Sequence, residues 1–173
     1  MDDRRIVASQ IGRTPRSSVE VVARCHLGLP VVTKVPPHLD DGTPFPTTYW
    51  LTCPLANRRI GRLEADAGVK KAEARVESDP EFGVAFRAAM ERYETQRDAL
   101  IVPDASPHRP TGGVGGSRRG VKCLHAHYAD HAAGNMNPVG AETAQQIEPL
   151  DCAMACIVET EEGVIRNLDW IEP

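Results

Sequence analysis

Short runs of β-branched and aromatic residues, separated by turn chemistry, occupy the first third of the chain. VEVVARC at 19–25 is partly alternating, PVVTKV at 30–35 is rich in valine, and TTYWLTC at 47–53 combines threonine with aromatics. Runs of this length and composition, bounded by Gly, Pro and Asp, predict strands. HLGLP at 26–30 supplies the first turn, and VPPHLDDGTPFP at 35–46 is turn chemistry throughout. Neighbouring strands joined this closely form a small antiparallel sheet.

Helical periodicity follows. Residues 3–12 read as a short helix or ordered arm stopped by Pro15. Pro54 suits a first helical position, and LANRRIGRLEAD at 55–66 sets Leu55, Ile60 and Leu63 near one face. Gly68 interrupts, and VKKAEARVESD continues as a more polar helix. Asp79-Pro80-Glu81 is a start signal for a helix over 81–100, whose Phe82, Phe86, Met90 and Tyr93 mark a buried stripe. Residues 102–120, with Pro103, Pro107, Pro110 and five glycines, predict a long loop that is functional or flexible. A helix is expected from about Val121 to Ala133, and another from Asn137-Pro138 to Ile147. The tail predicts a hairpin turning at Glu162-Gly163. The fold class expected is α+β: one domain over 1–173, a small antiparallel sheet and C-terminal hairpin packed against several helices.

Composition narrows the function classes. Only 5% of residues are aromatic against 41% hydrophobic, so the core is aliphatic. A net charge of −4 argues against general nucleic-acid binding, which needs a broad positive surface. No stretch approaches the roughly 20 apolar residues of a membrane span, and no secretory signal is present. The expected location is therefore the cytoplasm, without membrane attachment. There the five cysteines, an odd number, read as reduced thiols or metal ligands.

The chemistry concentrates in GGVGGSRRGVKCLHAHYADH, 112–131. It is neither a Walker loop, since Val121 stands where the lysine belongs, nor a dinucleotide fingerprint, since Arg118 replaces the third glycine. Free amides at a helix start still favour an anion, so Gly115, Gly116, Ser117, Arg118, Arg119 and Lys122 are candidates for an anionic, phosphate-containing ligand. The plain alternative is a solvated loop. On the following helix Cys123, His127 and His131 form a stripe, with His125 at the far edge of the apolar face. A cysteine in a first turn favours thiolate. Cys25 and Cys53 stand at strand ends, and Cys152 and Cys156 add a second pair. Together they suggest zinc or an iron–sulfur cluster at Cys25, Cys53, Cys123 and His127, with His131, Cys152 or Cys156 as substitutes. An alternative is an enzyme with Cys123 as nucleophile and His127 or His125 as base. A third is a non-catalytic interaction module with inert cysteines.

Several segments carry a resemblance. Arg24-Cys25 with Gly28-Leu29-Pro30, Pro44-Phe45-Pro46-Thr47 with Leu51-Thr52-Cys53-Pro54, and Gly120 to His127 with Asn137-Pro138-Val139-Gly140 resemble the bacterial domain-of-unknown-function family numbered 501. The likeness covers roughly residues 10–158, with His26 in place of an expected proline and an unusually charged stretch from Gly68 to Asp79. It implies no activity. Members are typical of actinobacteria, and their genes often adjoin those for enolase, a septum-formation initiator and an exopolyphosphatase. The resemblance thus implies a cytoplasmic housekeeping setting linked to cell division or polyphosphate metabolism. A phosphorylated ligand would suit both those neighbours and the basic loop.

Overall fold

A computed structural model describes residues 2–103, 106–161 and 163–173. Asp104 and Ala105 of the long loop, and Glu162 of the expected hairpin turn, lie outside the described residues. The architecture is α+β. Helix α1 (Asp3–Ile11) precedes a three-stranded antiparallel sheet, β1 (Glu20–Arg24), β2 (Pro30–Lys34) and β3 (Tyr49–Leu51), with β2 in the middle. The register pairs Ala23 with Val32 and Arg24 with Pro30 on one side, and Val32 with Leu51 on the other. Pro30 to Thr33 are buried, as a central strand rich in valine should be. The third strand is shorter than the aromatic run that predicted it, because Thr52 and Cys53 leave the ladder for the next helix.

Helices α2 (Pro54–Ala65), α3 (Gly68–Ser78) and α4 (Pro80–Asp98) follow. Asp79 closes α3 and caps α4, its carboxylate accepting the amides of Glu81 and Phe82, both at 3.1 Å. Phe86 and Tyr93 of α4 are buried as the stripe predicted, and Phe82 and Met90 pack half-buried beside the core. Helices α5 (Leu124–Ala132) and α6 (Pro138–Ile147) lie against each other, with Asn137 capping α6 through the amide of Gly140 at 3.0 Å. Gly140 is the contact point. A Cβ there would sit 2.2 Å from the carbonyl oxygen of His127, so only glycine permits this approach.

The two ends of the chain meet. The hairpin β4 (Ile157–Thr160) and β5 (Gly163–Arg166) docks on α1, where Ser9 Oγ donates to the Val164 carbonyl at 2.6 Å and Arg166 donates to the carbonyls of Ser9 and Gln10. Ile6, Leu29 and Ile157 form a small second core beneath this junction. The main core joins the sheet to α2, α5 and α6. Among the described residues no helix is long and apolar enough to cross a membrane.

Candidate functional site

The glycine loop is folded tightly. Gly112, Gly115 and Gly116 all adopt positive φ, and a single 3₁₀ turn spans Val114–Gly116. Its amides are used internally: Gly113 N–H donates to the Ser117 carbonyl, Gly116 N–H to Gly113, and Ser117 N–H to Val114. Arg97, fully buried, donates to the Gly112 carbonyl, and Glu94 accepts the Gly112 amide at 3.2 Å. Lys122 Nζ donates to the Gly115 carbonyl at 2.8 Å. Arg118 and Arg119 remain exposed. The glycines therefore serve close packing: a Cβ on Gly113 would meet Met90, and one on Gly116 would meet Pro46.

Helix α5 begins three residues later than its periodicity suggested. Cys123 is extended (φ −160°, ψ 149°) and stands before the first turn. The start of the helix is already supplied with an anion. Glu64, on α2, accepts the Leu124 amide at 2.6 Å and lies 3.1 Å from His125 Nδ1. A carboxylate there satisfies the dipole and an orphan donor at once, taking the place an external anion would use.

Cys123 and His125 line one shallow cavity with Lys122, Asn57, Tyr49 and Gly115. Burial raises the Cys123 thiol's pKa, the Ala126 amide and Lys122 oppose this, and Glu64 adds to it. The net direction is upward, so burial outweighs the helix start. The second ring nitrogen of His125 lies 3.2 Å from the Asn57 carbonyl, so both ring nitrogens face oxygen atoms. His127 is fully buried, with Nδ1 3.1 Å from Asn137 Oδ1 and its ring against Phe86. Burial holds its pKa down at about 4. Asn137 in turn donates to the buried Asp130 carboxylate, which pairs with Arg92 at 2.5 Å. His131 lines a separate cavity with Arg92 and Asn137.

Cys25, Cys53 and Cys156 lie near one another at one end of the sheet, and Cys152 stands beside Cys156. The Cys25 amide donates to Leu29 and the Cys53 amide to Val31, so both flank the entry to β2. Cys25 and Cys156 pack on the same cluster of Ile6, Leu29 and Ile157. Burial pushes the Cys53 thiol up to about 11 against the amides of Ala56 and Leu55, and the nearby Cys156 and Cys25 add to the rise. Burial also raises Cys156, whose sulfur takes a hydrogen bond from Gln10, and its neighbours Cys152 and Cys25 push the same way. The turn carrying the last pair is anchored: His26 Nε2 is 3.0 Å from the Cys152 carbonyl, and Asn167 N–H donates to Cys156 at 3.0 Å. All five cysteines are free thiols. Among the described residues no group of three or more His, Cys, Asp or Glu is arranged to hold a metal ion, and this applies to Cys25, Cys53, Cys123 and His127 and equally to the four cysteines near the sheet end.

Residues 21–145 match the family model described as "Protein of unknown function (DUF501)". The chain belongs to the DUF501 family. No curated protein matches it, and no solved structure does. The DUF501 segment contains Cys25, Cys53, Cys123 and all of α2 to α5, while Cys152, Cys156, α1 and the hairpin lie outside it. Glu64 and Gln10 are the site residues that the sequence did not indicate. Each acts from a helix distant in sequence from its partner, and neither sits in a motif. Asn137, by contrast, was legible as a helix cap, though not as the partner of His127.

Proposed function

We propose that this DUF501 protein binds one thiophilic metal ion through Cys25, Cys53, Cys152 and Cys156. The ion ties the end of the sheet to the C-terminal hairpin. The observation that carries this reading is the proximity of Cys25, Cys53 and Cys156, from three distant segments, around the entry to β2, with Cys152 beside Cys156. Four thiolates make a closed, structural zinc site, with no position left for a substrate.

The set keeps Cys25 and Cys53 from the sequence expectation and replaces Cys123 and His127. Cys123 belongs to the cavity beside Lys122, and His127 is held by Asn137. Burial that favours neutral thiols is reversed by coordination, which deprotonates them. No three of these thiols stand in place to hold an ion, so binding requires the 152–156 turn to move inward and to loosen its contacts with His26 and Asn167. That segment is irregular, so the movement breaks no strand or helix. An anionic ligand at the glycine loop is not part of this reading, because Glu64 fills the start of α5.

Metal analysis of the full chain purified without oxygen tests it. About one zinc per chain is expected, lost in Cys53→Ser and in Cys156→Ser and kept in Cys123→Ser. Iron with a brown visible absorption would assign an iron–sulfur cluster to the same thiolates. Metal-free protein, or equal loss in Cys123→Ser, overturns the proposal.

A further inference from the structure

A second site lies away from the cysteines, between α1 and the sheet. It is a cavity of about 160 Å³, covered by Val7 and Ile11 and walled by Val35, Phe45 and Trp50. Phe45 and Trp50 stack with centroids 5.1 Å apart. An apolar void of roughly 150 Å³ is large enough to take a benzene ring.

Most polar groups inside are spent, the Thr33 hydroxyl being the exception among the described residues. Thr52 Oγ1 is directed at the carbonyls of Pro30 and Val31, and Ser17 Oγ at that of Ser18. With Val7, Ile11, Val35, Phe45 and Trp50 as its walls, the cavity favours an occupant whose buried part is mainly hydrocarbon. At the edge stand two exposed arginines, Arg13 and Arg16. Arg16 is neutralised by Asp41 at 2.5 Å. Arg13 lies over the Trp50 ring at 5.4 Å, and no salt bridge to it is found among the described residues. Arg13, without a carboxylate partner among the described residues, thus sits on the aromatic wall of the cavity.

We infer that this cavity binds a small aromatic or branched monocarboxylate, its hydrocarbon beneath α1 and its carboxylate on Arg13. A planar guanidinium stacked on Trp50 presents its edge for a paired contact with such a group. The inference is independent of the thiol centre.

The test uses phenylacetate and its neutral isostere phenylacetamide on the full chain. The chain has two tryptophans, so in Trp170→Phe the emission comes from Trp50 alone. Phenylacetate should shift that emission with a sub-millimolar dissociation constant, and phenylacetamide should bind about fivefold more weakly or worse. Calorimetry on the chain with both tryptophans checks the same two affinities if Trp170→Phe folds poorly. Arg13→Gln, an exposed change, should bring the acid down to the level of the amide. Equal binding of acid and amide, acid binding unaffected by Arg13→Gln, or no binding of either compound overturns the inference.

Discussion

The carboxylate of Glu64 lies 2.6 Å from the Leu124 amide, so one helix caps the start of another across sixty residues of sequence. This contact supplies a negative charge at the start of α5. Glu64→Ala should cost about 1–2 kcal/mol in urea unfolding, the usual size of a lost cap. The variant should also gain more stability from added sulfate than the wild type does, because the ion can then enter the vacated helix start in addition to its general salting effect. Sulfate stabilising both proteins equally would contradict this role for Glu64.

His127 should set part of the acid sensitivity. Its folded pKa, about 4, lies below the ordinary value of 6.5. The unfolded chain therefore binds a proton first as pH falls, and stability drops between about 6.5 and 4. The loss amounts to at most about 3 kcal/mol. Asp130, raised by burial against the pull of Arg92 and Asn137, acts in the opposite direction just above the ordinary carboxylate pKa. The comparison is therefore between wild type and His127→Gln, measured by urea unfolding across pH. The slope between 6.5 and 4 should flatten in the variant.

Cys123 should behave as a masked thiol. Burial raises its pKa, so iodoacetamide should modify it more slowly at pH 7 than it modifies a free cysteine peptide. The measurement is made by mass spectrometry of the folded chain. Fast modification well below pH 8 would restore the nucleophile reading.

Gly140→Ala should be among the most damaging single-methyl changes in the chain. The added carbon meets the His127 carbonyl and His131 Cβ, so α5 and α6 must separate. A loss of about 3 kcal/mol or more is expected from thermal or urea unfolding, since helix backbone cannot yield as a flexible side chain does. A near-neutral result would mean that the two helices have room to shift.

The elements were legible where periodicity and punctuation agreed. PVVTKV became the buried middle strand, and Asp79-Pro80 became the cap it resembled. The start of α5 was misplaced because Val121 and Lys122 continue the helical pattern in sequence, while Glu64 fixes the true start from outside it. The cysteines stand out in the sequence, but their distances from one another do not. Cys123 and His127 lie four residues apart, a spacing that sequence shows directly, although Cys123 stands just before the helix. The link between Cys53 and Cys156 depends on the hairpin folding back onto α1, which no local pattern reveals.

The central claim is tested most directly by X-ray absorption at the zinc edge, on anaerobically purified full-length chain. A shell of four sulfurs at about 2.3 Å is the expected result. A shell containing nitrogen or oxygen in place of sulfur would contradict the four-thiolate assignment, and an absent edge would remove the metal from the account altogether.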